Sequence, residues 1–467
     1  MRRILPVTLL LLAGCSMNPK LDMPPPPVAA AYPDSSPFDE QNAADLGWRE
    51  MFGDPRLQQL VELSLRDNRD LRIAVLNVEA ARAQFRTQRG AELPGLEAQG
   101  SYTRQRTSPA GAGDNSSLPL ANGFEFGQFN AQVALTAFEI DLFGRLRSQS
   151  QAAFERYLAT DQGRRAVQIA VVGAVADAYL AERLAAEQVR LTQATLQDWR
   201  SSLQLTRRLH AARQVSGLEV TQAEELVHQA EADLEQRRRE LAQATNALVL
   251  AVGAPLPADL PAPIDLLQQP IRTQLPAGLP SELLQRRPDV VQAEHELRAA
   301  NADVGAARAA FFPRLSLTAA LGLTSPALDE LFRGANRSWS FSPALTAPIF
   351  QGGQLQGNLD LAELRKSIAV AHYERSIQAA FREVADGLAA RATYAPQVAV
   401  QSQAAEAAAR RVDLSNLRFR AGVESRLELL DAQRSAYSAR QALLNIRHQE
   451  MASAIGLYRA LGGGLTR

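Results

Sequence analysis

Few residues of this 467-residue chain have the type and spacing for covalent or metal chemistry. Its five histidines, His210, His228, His295, His372 and His448, are scattered through helical segments. A zinc hydrolase needs two imidazoles one helical turn apart so that both face one ion, and "HELR" at His295 lacks the second histidine of HExxH. No Walker A loop or dinucleotide fingerprint occurs, and the terminal "ALGGGLTR" lacks the strand-to-helix context in which backbone amides cradle phosphate. The many carboxylates alternate with basic residues, which is the pattern of solvated mixed-charge helix faces. No catalytic residue, metal ligand or cofactor is expected.

The one thiol, Cys15, excludes a disulfide framework and any CxxC zinc or redox site. Arg2 and Arg3 precede an apolar run from Ile4 to Ala13, too short for a bilayer span of about 20 residues, so residues 1–14 read as a signal peptide. Leu12-Ala13-Gly14-Cys15 resembles the bacterial lipobox. That resemblance implies a mature chain beginning at Cys15, with diacylglycerol on its sulfur and an acyl chain such as palmitate on its amine. Ser16, where an aspartate would favour retention at the inner membrane, implies an outer-membrane address.

Fifty basic and fifty acidic residues cancel, so no net field points to nucleic acid or anionic lipid. Beyond the signal no apolar run reaches the length of a membrane helix, and any deeper insertion must take the form of a β-barrel. Residues 15–45, with "MPPPPVAAAYPDSSP", read as an extended tether.

Self-comparison then divides the chain. Val175-Ala176-Asp177 recurs as Val384-Ala385-Asp386, Leu218-Glu219 as Leu427-Glu428, and Ala223 and Gly253 as Ala432 and Gly462, all at one spacing. Asp70, Ala80-Ala81 and Pro94 match Asp289, Ala299-Ala300 and Pro313 at a slightly larger one. Two repeats follow, 46–253 and 281–464, joined by a proline-rich linker at 254–280.

Each repeat opens with a helix and then changes period. Leu96, Ala98, Gly100 and Tyr102 alternate with polar residues, as do Phe129, Ala131, Val133 and Leu135, predicting strands at about 95–106 and 126–142. In the second repeat Leu315 to Leu323, and Trp339, Phe341, Leu345 and Ile349, predict strands at about 314–325 and 337–350. One face is apolar and aromatic and the other small and polar, as in a barrel between lipid and a watery lumen. Four strands cannot close a barrel when about eight is the smallest number known, so the chain must oligomerise.

Glycine pivots at Gly144 and Gly352-Gly353 lead into helices predicted at about 145–212 and 353–420, each near 100 Å at 1.5 Å per residue. Pro396 is expected to kink the second. Turns near Gly217 and Gly422, with glycine supplying the left-handed conformation, start returning helices at about 218–251 and 425–461. A barrel continued by a helical tube is a conduit across the periplasm.

This order, with the lipobox, "RAGVESRLELLDAQRSAYSARQALL" and the ending "LYRALGGG", resembles the TolC-type outer-membrane efflux channels, in their OprM-like lipoprotein branch. The resemblance implies a mainly α fold with a membrane β-barrel portion: a homotrimer with a twelve-stranded β-barrel continued by a twelve-helix periplasmic α-barrel. It implies a passive exit duct for drugs and other toxic compounds, partnered by a periplasmic membrane-fusion adaptor and an inner-membrane pump of the resistance-nodulation-division class. It further implies a gate at the periplasmic tip. In "RRVDLSNLRFRAGV", Asp413, Asn416 and Arg420 share one helical face at i, i+3 and i+7, with Arg418 offset and Arg208 at the corresponding depth on the other long helix. Rings of Asp413 and Asn416 are expected to narrow the pore, with Arg420 or Arg208 tying neighbouring helix pairs. The turns, Val215, Ser216, Gly217 and Leu218 and then Gly422, Val423, Glu424 and Ser425, resemble the grooves that receive adaptor hairpins. Two other readings stand beside this one: a conduit for type I protein secretion, and a structural periplasmic lipoprotein without a pore.

Overall fold

The computed structural model describes residues 16–29, 31–32, 45–107, 124–276 and 284–465, so Cys15 and the signal peptide lie outside the described residues. The first repeat comprises α1 (Pro55–Asp67), α2 (Arg69–Gly90), β1 (Leu96–Thr107), β2 (Phe124–Ile140), α3 (Arg145–Ala211) and α4 (Gly217–Val252). The second comprises α5 (Pro288–Ala309), β3 (Arg314–Ser325), β4 (Arg337–Thr346), α6 (Gln354–Arg420) and α7 (Arg426–Ala460). The long helices α3 and α6 are 67 residues each, and α6 runs through Pro396 without a break. Gly144, Gly352 and Gly353 enter them with φ of 77°, 55° and 85°, conformations that a side chain would resist. Among the described residues, no helix is long and apolar enough to cross a membrane.

The chain divides into a sheet unit, from residues 1–24, 79–158 and 294–371, and a helical unit, from residues 25–78, 159–293 and 372–467. In the sheet unit the four strands are antiparallel in the order β1-β2-β3-β4. Their register turns the alternation of the sequence into one continuous face. Ala98 lies opposite Val133, Val133 opposite Leu321, and Leu321 opposite Trp339. Opposed residues share a side of the sheet, so the apolar positions of all four strands coincide. Trp339, Phe341 and Leu345 are between 60% and 77% exposed, so this apolar face is not packed on a core within the chain. The other face carries Gln132 donating to Gln99 at 3.3 Å and Thr324 donating to Asn130 at 3.3 Å.

A bulge corrects the simple alternation of β2. Between Leu135 and Phe138 two residues oppose one, and Ala137 takes a left-handed φ of 48° with its amide 3.3 Å from the Thr318 hydroxyl. The extra residue returns Phe138 and Ile140 to the apolar face, opposite Leu317 and Leu315. Glu139 is left on the polar side, where it pairs with Arg145 at the start of α3 at 2.5 Å. β4 ends at Thr346, short of the expected Phe350, because β3, its only partner among the described residues, begins opposite it at Arg314.

The sheet unit also holds the chain's first described residues as a strap. Asn18 accepts from the Ser148 hydroxyl at 2.7 Å and donates to Gln151 at 2.8 Å, and Asn301 donates to the Pro19 carbonyl at 2.9 Å. Gly305 makes room for this: a Cβ there would lie 1.7 Å from Asn18 Oδ1. Gly305→Val is therefore expected to eject the strap and to raise the rate of tryptic cleavage after Lys20 at least about tenfold, read by mass spectrometry. An unchanged rate would mean that the strap is held by other contacts.

In the helical unit, α3 and α4 form the first hairpin. Leu196, Trp199 and Leu203 interlock with Ala223, Val227, Ala230 and Leu234 at steps of three and four, the coiled-coil spacing. Each fully buried Leu or Val contributes about 1.5–3 kcal/mol. The second repeat packs likewise through Tyr373, Ile377, Ala380, Val384 and Leu388.

Candidate functional site

The hairpin tips, where α3 turns into α4 and α6 into α7, collect most of the sequence-derived site residues. Ser216 caps α4 by a capping box with Glu219, whose amide lies 3.4 Å from the Ser216 hydroxyl while its carboxylate takes the Ser216 amide at 3.2 Å. Ser425 caps α7 through the Glu428 amide at 3.3 Å. His210 Nδ1 donates to the Val215 carbonyl at 2.9 Å. Leu218 and Val423 project from the two turns, each 67% exposed.

Gly422 has the expected left-handed φ, 73°, whereas Gly217 does not. The left-handed residue of the first turn is Arg213, with φ of 58°, and Gly217 is instead the first residue of α4. This corrects the expectation drawn from the glycine's position. The α3 helix ends at Ala211, the backbone turns over at Arg213, and Gln214 and Val215 lead into the Ser216 cap. A non-glycine residue in that conformation costs about 1–2 kcal/mol.

Charges at the tips fall into two sets. Arg207 pairs with Glu224 at 2.8 Å, Arg411 with Asp431 at 2.9 Å, and Arg418 with Glu424 at 2.9 Å. Glu424 also accepts from buried Ser415 at 2.9 Å. The Arg418 guanidinium is thus engaged within its own turn. Asp413, Asn416, Arg420 and Arg208 have no side-chain partner among the described residues, and Asp413, Arg420 and Arg208 are exposed. Leu417, 64% exposed, lies on the same helical face as Asp413 and Arg420, between them. Sequence reading passed over this leucine, although its apolar type amid charges was the signal.

A second group missed from sequence joins the hairpins within the chain. Arg426 is 5% exposed, donates to the Ser202 carbonyl at 3.0 Å and to the Ser202 hydroxyl, and stacks over Phe419 at 5.0 Å. Burial pushes its pKa down from the usual arginine range. Deeper along the hairpins, Tyr437 donates to Asp233 and meets the Thr192 hydroxyl at 2.8 Å, its phenol pushed up to about 12, chiefly by burial. Gln188 donates to Asn445 at 2.9 Å. These bonds hold the two hairpins of one chain to each other, and the unpaired set is left for other surfaces. Among the described residues no cluster of His, Cys, Asp and Glu could hold a metal ion.

A sheet apolar on one side and polar on the other, with a 67-residue helix and a capped return in each repeat, defines a membrane-sheet channel of the kind that extends into the periplasm. The chain belongs to the outer membrane efflux protein family, whose profile matches residues 60–254 and 279–463. It is 44% identical over 465 residues to two curated Pseudomonas putida proteins, covering 98% of this chain and 95% of each. They are named an antibiotic efflux pump outer membrane protein, ArpC, and a toluene efflux pump outer membrane protein, TtgC. Among solved structures, the open state of the Neisseria gonorrhoeae MtrE outer membrane channel is similar over 97% of this chain and 99% of that one, with a TM-score of 0.89 and 38% identity. The chain is an outer-membrane efflux channel, and the family is one of conduits. The reading as a poreless structural lipoprotein falls with these matches.

Proposed function

We propose that three copies of this chain form the exit duct of a tripartite pump, each giving four strands to a twelve-stranded barrel and four helices to a twelve-helix periplasmic tunnel. A periplasmic adaptor docks at the hairpin turns, and an inner-membrane pump of the resistance-nodulation-division class supplies the energy. Small toxic organic compounds are the substrates, in keeping with the relatives named for antibiotics and toluene. Those names favour this reading over polypeptide secretion. A lipid on Cys15 tethers each copy to the outer membrane.

The gate is assigned to the hairpin tips, and one observation supports it: Asp413, Arg420 and Arg208 are among the tip charges left without side-chain partners among the described residues, free to meet neighbouring copies. Asn416 and Leu417 complete the constriction. Unpaired charges facing their counterparts across copies hold the tip shut, and pulling the hairpins apart opens it. Single-channel conductance in planar bilayers tests this. The variant carrying Asp413→Ala and Arg420→Ala is expected to conduct at least about tenfold more than the nearly silent wild type. Equal conductance in the two would place the gate elsewhere, and a chain that fails to trimerise would refute the barrel assembly.

A further inference from the structure

The two hairpin turns are built on one plan. The repeat offset that pairs Leu218 with Leu427 also pairs Arg213 with Gly422, and the hydrogen bonds correspond one for one. Ala212, Arg213 and Gln214 donate to Arg208, His210 and Leu209 at 3.1, 2.9 and 2.9 Å. Ala421, Gly422 and Val423 donate to Leu417, Phe419 and Arg418 at 3.0, 3.0 and 3.1 Å. Backbone requirements at the central position are the same, with φ of 58° and 73°, yet one repeat meets them with glycine and the other with arginine. Glycine is the relaxed solution. An arginine kept in a strained conformation points to a use for its side chain.

That side chain has no partner among the described residues. Arg213 is exposed and forms no ion pair or side-chain hydrogen bond among the described residues. Two acids at the start of α4 are already engaged: Glu224 pairs with Arg207 at 2.8 Å, and Glu219 is bound into the capping box. The second turn differs, because its Arg418 is neutralised by Glu424 at 2.9 Å. Five residues on, at the start of α4, Leu218 is 67% exposed. Arginine is one of the residue types enriched in protein-binding hot spots. The planar fork of arginine fits a carboxylate in two parallel hydrogen bonds.

We infer that Arg213 is a docking residue of the first hairpin, whose guanidinium receives a carboxylate on the tip of the adaptor, with Leu218 covered by an apolar side chain of the same tip. The two turns of a chain are then unequal: the first carries an arginine at its left-handed position and the second a glycine. This rests on the adaptor reading above.

The test uses the full-length channel in detergent and, as probe, the purified periplasmic adaptor that works with the Pseudomonas putida toluene efflux channel. Binding is measured by biolayer interferometry at several salt concentrations. Arg213→Gly is expected to weaken binding about tenfold and to flatten its salt dependence, Arg213→Glu to weaken it further, and Arg213→Lys to fall between wild type and glycine. Thermal stability of the Arg213→Gly channel should equal or exceed that of wild type, which separates lost recognition from lost folding. Arg213→Gly binding within twofold of wild type would overturn the inference. A wild-type channel that binds no adaptor would instead overturn the docking reading beneath it. Arg213-dependent capture of peptidoglycan fragments, with adaptor binding unchanged, would overturn the choice of a protein partner.

Discussion

Asp54→Ala is expected to destabilise the base of the helical unit by about 3–5 kcal/mol, the sum of a lost helix cap and the donors it would orphan. Asp54 is fully buried and accepts from three groups. Its Oδ1 takes the Arg56 amide at 2.8 Å as the cap of α1, and its Oδ2 takes the Tyr179 hydroxyl at 2.6 Å and the Gln269 amide at 3.0 Å. Alanine removes every acceptor at once while leaving the donors in place. Burial and the adjoining carboxylate hold the Tyr179 phenol protonated, so it has no ionised form with which to adapt. Hydrogen exchange at the amides of Leu57 to Val61 measures the loss. Tyr179→Phe, which removes one donor and leaves the cap intact, is expected to cost only about 1–2 kcal/mol. If both variants cost the same, the cap contributes nothing and the assignment of Asp54 as its source is wrong.

The second large effect is expected at Arg287. Its guanidinium is 7% exposed and donates to Asp289 at 2.9 and 2.6 Å, to Glu383 on α6 at 2.7 Å and to the Ala460 carbonyl at the end of α7 at 3.0 Å. Burial alone would lower its pKa, but the hydrogen bonds and charges of Asp289 and Glu383 raise it, so it stays charged. Arg287→Ala leaves two half-exposed carboxylates without their shared counter-charge and the Ala460 carbonyl without this donor, and should cost about 2–3 kcal/mol. Adding Glu383→Gln should recover part of that, because the repulsion goes with the charge. Denaturant melts of the single and double variants check this, and strictly additive costs would show that the two groups do not act on each other.

Much of this architecture could be read from the sequence because it is periodic or duplicated. Strand faces follow from alternation, and the register in which Val133 meets Leu321 and Leu321 meets Trp339 only brings together what each strand already displayed. The bulge at Ala137 was also visible, as apolar positions pass from odd numbers at Leu135 to even ones at Phe138, but a search for strict alternation slides over such a change. The turn glycine misled for a different reason. Gly217 precedes a leucine that repeats at Leu427, and a glycine near a helix end suggests a left-handed cap, yet the backbone turns over at Arg213. Partnerships between distant segments left no trace at all. Arg426 reaching Ser202, Tyr437 joining Asp233 and Thr192, and Asn18 fitting against Gly305 depend on where the folded chain brings them.

β1 and β4 lie at the margins of the four-stranded sheet, each with a row of backbone amides and carbonyls turned away from the strand it pairs with. In hydrocarbon each such group without a partner costs several kcal/mol, so a single copy has no stable residence in the bilayer. Insertion and association therefore merge into one event, and biogenesis becomes a question of reaction order. The yield of finished exits climbs faster than in proportion to the supply of chain, and a burst of synthesis delivers more of them than the same amount made slowly.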